Sequence, residues 1–357
     1  MLFVDALGGL GYATPLFYEP KMSTASKTRL VLPALLSCLT TPATAEVIEE
    51  VLVIASHQPQ TLSQIGSAIS RIDADELSTH TSTNAADLLR NVAGISVNQS
   101  GPMGALTQVR MRGAEANHTL VLIDGVRVND VSLGSEFNFA QITNADISHI
   151  EVLRGPQSAR YGSDAIGGVI GIFTQESESA GWHGQANLGL GQFNTQDLGG
   201  RLGFRSAGKD TGSWSAQLNI NRLDTDGIDA SPSGNELDGF RNTHINAKAL
   251  LDLSATATLR VNLRQVNTQS EGDKQDFDFP TTATQGLIVD ADERVDSQQR
   301  HLYLAYSQTA GNWQYDAALT RSLSSTDYLS NGARASGLRG ERLLLDLQGS
   351  RSFAVGV

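Results

Sequence analysis

Residues 223–240 read Leu-Asp-Thr-Asp-Gly-Ile-Asp-Ala-Ser-Pro-Ser-Gly-Asn-Glu-Leu-Asp-Gly-Phe, which concentrates carboxylates and an asparagine on a glycine-bearing stretch. Hard oxygen donors of this kind suit calcium, which takes about six to eight oxygens at roughly 2.3–2.6 Å. The spacing is not that of an EF-hand, so a site needs a second segment to converge on the first. Asp276 and Asp278, in Lys274-Gln-Asp-Phe-Asp-Phe-Pro280, are the weaker candidates for that segment. The competing reading is two solvated acidic loops that repel each other. Catalytic chemistry is not indicated: the histidines, among them His80, His118, His183, His244 and His301, are scattered. Ser163-Asp164 lacks the strand-turn-helix context of a nucleophile elbow.

The elements that would position such groups fall into two kinds. Between residues 68 and 173 the patterns are mixed. Ala68–Ile72 reads as a strand, and Asp73-Ala-Asp-Glu76 as a capping box opening a short helix. Ala85, Leu88, Leu89 and Val92 share one helical face behind a cap at Thr83 or Asn84, and Gly94 ends that helix. Residues 95–97 and 108–112 read as strands. Thr119–Ile123 is an apolar, partly β-branched run, and Asp124-Gly125 is a hairpin turn into Val126-Arg127-Val128. Ile150–Leu153 is a further strand halted by Arg154-Gly155-Pro156.

From Gly184 onward the period becomes two. Eight strands follow, carrying in turn Ala186, Leu198, Trp214, Ile245, Leu259, Leu302, Trp313 and Leu343. Short turns at 207–212, 254–255 and 309–312 alternate with long connections at 223–239, 267–298 and 323–340. Outer-membrane barrels place short turns at the periplasmic end and long loops outside. Trp182, Trp214, Trp313, Tyr303, Tyr306 and Tyr315 would supply the interfacial aromatics.

The series Arg154-Gly-Pro, Tyr161-Gly-Ser-Asp-Ala-Ile-Gly-Gly168 and Leu120-Val-Leu-Ile-Asp-Gly-Val-Arg127 resembles the plug of TonB-dependent outer-membrane receptors, and within them the cobalamin receptors. One departure is Gly171, where the family usually has asparagine. The resemblance implies an α+β plug domain inside a transmembrane antiparallel β-barrel of about 22 strands. Only about eight strands are present, and a barrel that small could not hold a plug. An incomplete receptor is therefore expected, with the plug at 57–178 and the first part of the barrel at 179–357.

The resemblance also implies particular residues. Glu50, Val51, Leu52, Val53, Ile54 and Ala55, within 46–56, resemble a TonB box, an extended segment able to add as a strand to a partner's sheet. The competing reading is an ordinary first strand. Met103, Leu106, Asn129, Asp130 and Ser132, in the loops 100–107 and 129–137, are carried over as ligand contacts. Asp229, Glu236 and Asp238 match the calcium-ordered loop motif most closely.

Lys27 and Arg29, the apolar run Leu30–Leu39 and Ala43-Thr-Ala45 form a secretory signal at 22–45, preceded by an upstream extension at 1–21. A lipoprotein signal at Cys38 is disfavoured by the bulky Leu36. Cys38 is the only cysteine, so the mature chain is expected to have no disulfide. A net charge of −12 disfavours nucleic acid.

The expectation is a monomeric, non-enzymatic importer in the outer membrane of a Gram-negative bacterium. It would work with a TonB-type partner and carry cobalamin or a related corrinoid, with structural calcium in its outer loops. A ferric siderophore or haem receptor on the same scaffold is the alternative, and an adhesin or phage receptor the rival from another class.

Overall fold

The computed structural model describes residues 51–52, 60–61, 67–79, 84–177, 179–208, 212–232, 234, 236–277 and 279–353. The expected extension and signal lie outside these residues, as do Glu50, Val53, Ile54, Ala55 and Asp278. Val51–Leu52 (β1) pairs antiparallel with Gln60–Thr61 (β2). Val51 and Leu52 of the expected TonB box are thus strand-paired within the chain along one edge.

Next come β3 (Ala68–Ile72), α1 (Ala74–Thr79), α2 (Ala85–Leu89), β4 (Ile95–Gln99) and β5 (Thr107–Met111). They are followed by β6 (Thr119–Ile123), β7 (Val126–Arg127), β8 (Ile147–Arg154), α3 (Ser158–Tyr161) and β9 (Gly168–Thr174). Asn84 caps α2, its Oδ1 accepting from Ala86 N at 2.7 Å. Asp73, just before α1, accepts at Oδ1 from Arg71 Nε at 2.7 Å.

The expected hairpin forms across Asp124-Gly125, both with positive φ, as its turn type requires. The central sheet has the order β3-β8-β9-β6-β7. Its β6–β9 pair is parallel, joining residues about fifty apart in the chain. Ile123, Ile150, Ile170 and Ile172 pack with Leu88, Leu89, Phe137 and Phe139 in one buried cluster, the driving force that holds the helices to the sheet. Arg154, of the Arg-Gly-Pro motif, donates to Ala93 O at 2.7 Å and Ser70 Oγ at 2.9 Å, tying β3 and the turn after α2 to β8.

The second half is one antiparallel sheet of eight strands in sequence order. They are β10 (Gly181–Leu190), β11 (Gln196–Arg205), β12 (Trp214–Ile228), β13 (Asp238–Ser254), β14 (Ala257–Gln275), β15 (Ile288–Ala310), β16 (Trp313–Ser330) and β17 (Ala333–Arg351). Among the described residues β10 and β17 are its open edges. Alternation sorts the two faces. Asn221, Asn242, Asn246 and Gln299 are buried toward the plug, whereas Leu343, Leu345 and Leu347 stand exposed on the other side. Trp182, Phe204 and Trp214 form a chain of ring contacts at the short-turn end. Tyr303 does not join that outward belt; it packs inward against the plug core.

Two of the three long connections shrink and one disappears. The stretch 323–340 is strand on both sides of a tight Asn331-Gly332 turn. The others reduce to 229–237 and 276–287. Hydropathy alternation marks only the lipid-facing length of a strand. Above it both faces are polar, yet the backbone ladder continues.

Candidate functional site

Three layers meet on the inner wall of the sheet. Lowest is a set of buried charges shared by plug and wall. Asp124, at the β6–β7 turn, accepts from Thr174 N at 2.9 Å and Thr174 Oγ1 at 2.8 Å, and pairs with Lys248 Nζ of β13 at 2.9 Å. Asn262 of β14 donates to the same carboxylate at 3.3 Å. Nearby, Asp146 Oδ2 accepts from Asn246 Nδ2 at 3.0 Å. Arg264 of β14 is buried with a guanidinium that makes no hydrogen bond among the described residues, and it lies within electrostatic reach of both carboxylates. None of these five contacts was expected from sequence, because each joins residues far apart in the chain.

Burial pushes the Asp146 carboxyl up to about 6, against the Asn246 hydrogen bond and the field of Lys248. A carboxylate raised on folding costs stability while it is ionised. The cost disappears as pH falls through about 6 and is fully relieved near the unfolded value of 3.8. Plug stability in the full-length receptor is therefore expected to rise on acidification between pH 7 and 4 by about 3 kcal/mol more in the parent than in Asp146→Asn. Denaturant melts of the plug at the two pH values check it; parallel shifts in both proteins would remove Asp146 as the cause.

Above the charges lie the plug loops carried over as ligand contacts. Met103 and Leu106 are exposed. Phe240 of β13 lies against their loop: a Cβ on Gly104 would stand 2.1 Å from its ring. Asn129 and Asp130 are buried instead. The Asn129 amide accepts from Val121 N at 2.7 Å and donates to Thr119 O and Ser135 O, both at 2.9 Å, which leaves it no donor for a ligand. Asp130 Oδ1 accepts from Ser132 N at 2.8 Å, Ser132 Oγ at 2.7 Å and Ser324 Oγ of β16 at 2.6 Å. These residues hold the 129–137 loop together and dock it on the wall.

The top layer is acidic. Among the described residues, Glu236 is the one expected metal ligand that joins a group: its carboxylate and those of Asp273 and Asp290 bring oxygens within 4.8 Å of one another. That separation fits two Ca–O bonds meeting at one ion. Burial, then the neighbouring Asp290 and Asp273, hold the Glu236 carboxyl above its ordinary range, a repulsion a cation would relieve. Asp229 Oδ1 accepts from Ser231 N at 2.8 Å and Asp238 Oδ2 from Ala230 N at 2.8 Å, so both brace their own loop. Asp276 accepts from Thr284 Oγ1 at 2.6 Å and from Thr282, closing the next loop. Asp273 and Asp290 sit near strand ends that read in the sequence as the interior of a long loop. Their signal was the run of acids 271–273 and 290–293.

Residues 68–174 thus form a mixed domain seated by polar contacts against the polar face of an antiparallel sheet whose other face is apolar. Residues 61–169 match the family model of the TonB-dependent receptor plug domain. Residues 61–169 thus carry a plug domain of the TonB-dependent receptor kind, and the eight-stranded antiparallel sheet that follows has the fold of part of the barrel of such receptors.

The chain is similar to the vitamin B12 transporter BtuB of Vibrio vulnificus, with 36% identity over 189 residues. That match covers 52% of this chain and 30% of the relative. Among solved structures, the ferric yersiniabactin uptake receptor FyuA of Yersinia pestis has a TM-score of 0.64 at 18% identity, covering 81% of this chain and 46% of that one. The siderophore receptor PirA of Acinetobacter baumannii has a TM-score of 0.62 at 17% identity, covering 80% and 45%. The chain thus spans under a third of the curated relative and under half of these structures.

Proposed function

We propose that the full-length receptor imports cobalamin or a related corrinoid across the outer membrane, driven by a TonB-type partner that engages the segment at Glu50–Ala55. The observation that carries this reading is the 36% identity to a vitamin B12 transporter. The ligand would sit above Met103 and Leu106, beneath the acidic loops, and withdrawal of the plug would open its path. The fold likeness to siderophore receptors supports the scaffold and keeps a ferric siderophore as the second reading.

Uptake of labelled cyanocobalamin by cells expressing the full-length receptor tests the proposal. Uptake is expected with the parent protein and is expected to be lost when residues 51–54 are deleted with surface display intact. Uptake of a ferric chelate but no corrinoid would move the substrate to the second reading. Corrinoid or chelate uptake that survives the deletion would remove the coupling role, and no uptake of either would favour a non-transporting surface protein.

Calcium in the outer loops is part of the same proposal, with Glu236, Asp273 and Asp290 as its ligands. Asp229 and Asp238 would hold the loop that presents Glu236. Calcium is expected to tighten corrinoid binding at least about tenfold, the effect of roughly 1.4 kcal/mol. Glu236→Gln with Asp273→Asn should abolish that gain; equal affinity in calcium and in chelator would refute the metal site.

A further inference from the structure

The inward face of the sheet carries a charge pattern that the plug covers. One rung of the ladder runs through all eight strands and holds Arg201 on β11, Arg264 on β14 and Arg342 on β17. Between them stand Asn219, Asn246, His301 and Ser322, all buried against the plug. The arginines thus recur at every third strand, about 14 Å apart along the wall at the ~4.8 Å spacing of neighbouring strands. Lys248 of β13 lies in the next rung toward the short turns. Neither the arginine rung, nor the rung of Lys248, nor the rung on the other side contains an aspartate or glutamate.

The counter-charge comes from the plug. Asp124 pairs with Lys248 at 2.9 Å, and Glu176 lies 3.5 Å from the same ammonium. Arg342 Nη1 donates to Asn129 O at 3.2 Å. Asp146 lies within electrostatic reach of Arg201, Lys248 and Arg264. Arg264 is 5% exposed, yet none of its three guanidinium nitrogens is hydrogen-bonded among the described residues, nor is Nε2 of its rung neighbour His301. At this level the wall holds the cations and the plug the carboxylates.

Withdrawal of the plug would carry the carboxylates away and leave the cations lining the opened path. A passage lined by one sign of charge in a low-dielectric wall concentrates counter-ions. Guanidinium forks match the paired oxygens of a phosphate group.

We propose that Arg201, Arg264 and Arg342, with Lys248 beside them, form an anion track that opens as the plug leaves and takes a phosphodiester of the cargo in place of the plug's carboxylates. The cargo half of this inference rests on the corrinoid reading, since a cobalamin carries one phosphodiester; the track itself rests on the wall. Arg264 is its central contact, because it breaks no hydrogen bond in turning to an anion.

Two measurements on the full-length receptor separate track from cargo. In the first, urea releases the plug in detergent with dimethyl phosphate, a monoanion, or trimethyl phosphate, its neutral relative, at ionic strength matched by sodium chloride. Dimethyl phosphate should lower the release midpoint of the parent relative to trimethyl phosphate, because it binds the opened wall and not the plugged one. The difference should shrink in Arg264→Gln, return in Arg264→Lys and persist in Arg222→Gln, which alters an outward arginine paired with Asp224. Equal midpoints in the two esters, or a difference undiminished in Arg264→Gln, would overturn the proposal. Heat-modifiability on a gel reports whether each barrel is folded, and Arg342→Gln replaces Arg264→Gln if the latter misfolds.

The second measurement is uptake by energised cells. Arg264→Gln is expected to slow maximal uptake of labelled cyanocobalamin at least about tenfold, the loss of one charge-assisted contact, with binding to unenergised cells unchanged. A corrinoid lacking the phosphodiester should keep its parental rate. Equal slowing of both corrinoids would overturn the track, for it would mark Arg264 as a support of the plug. A parent that takes up no corrinoid would remove the cargo reading alone, and the two esters would still decide the track.

Discussion

Lys248→Met is expected to lower plug stability in the full-length receptor by about 3 kcal/mol, the lower end of the cost of leaving one member of a buried ion pair alone. The Asp124 carboxylate that it leaves behind is 8% exposed. Lys248 Nζ also donates to Thr174 O at 3.2 Å, so the plug would lose two ties to β13 at once. The figure is not higher because Asp124 keeps Thr174 N, Thr174 Oγ1 and Asn262 as donors. Asp124→Asn removes the charge but suits the left-handed turn, where its φ is +49°. The Lys248→Met, Asp124→Asn double variant should therefore recover part of the loss. A cycle of denaturant melts on the four proteins gives the coupling; strictly additive effects would mean that the pair is no tie between plug and wall.

Gly168→Ala is expected to cost on the order of 4 kcal/mol, combining backbone strain with overpacking. Gly168 opens β9 at φ +154°, and a Cβ there would stand 2.3 Å from Leu153 O and 2.6 Å from Met111 Sδ. The carbonyl belongs to the neighbouring strand of the central sheet and cannot withdraw without breaking the ladder. Gly125→Asn is the matched control. Its φ of +83° also favours glycine, but nothing lies within 4 Å of the added Cβ. Asparagine tolerates that region, so the change should cost less than about 1 kcal/mol. Plug melts in the full-length receptor decide it; similar midpoints for the two variants would show that β8 and β9 can separate to admit the methyl.

The Gly167-Gly168 pair was visible in the sequence as a family motif, and the structure supplies its physical cause. Local patterns were legible in the same way. The Thr119–Ile123 run and Asp124-Gly125 turn became β6 and its hairpin, and the period-two alternation became eight strands in chain order. Each of those signals is carried by residues that are neighbours along one strand or one turn, so composition and spacing suffice to read them.

Other features were illegible for the converse reason. The parallel β6–β9 pairing joins segments with no local signal of their partnership. Asn129 and Asp130, polar residues in a loop, read as ligand contacts; the fold buries them and spends their side chains on backbone amides, carbonyls and hydroxyls. The acidic stretch at 223–240 announced oxygen donors, but only the meeting of three chain segments selected Glu236 with Asp273 and Asp290.

What the sequence determined by itself is therefore the kind of protein: a plug, a lipid-facing alternation and an acid-rich outer surface, each encoded within a few residues. What the tertiary structure alone decided is which side chains face one another. Those are the Asp124–Lys248 pair, the docked 129–137 loop and the carboxylate trio, because through-space distance between remote segments has no counterpart in linear spacing.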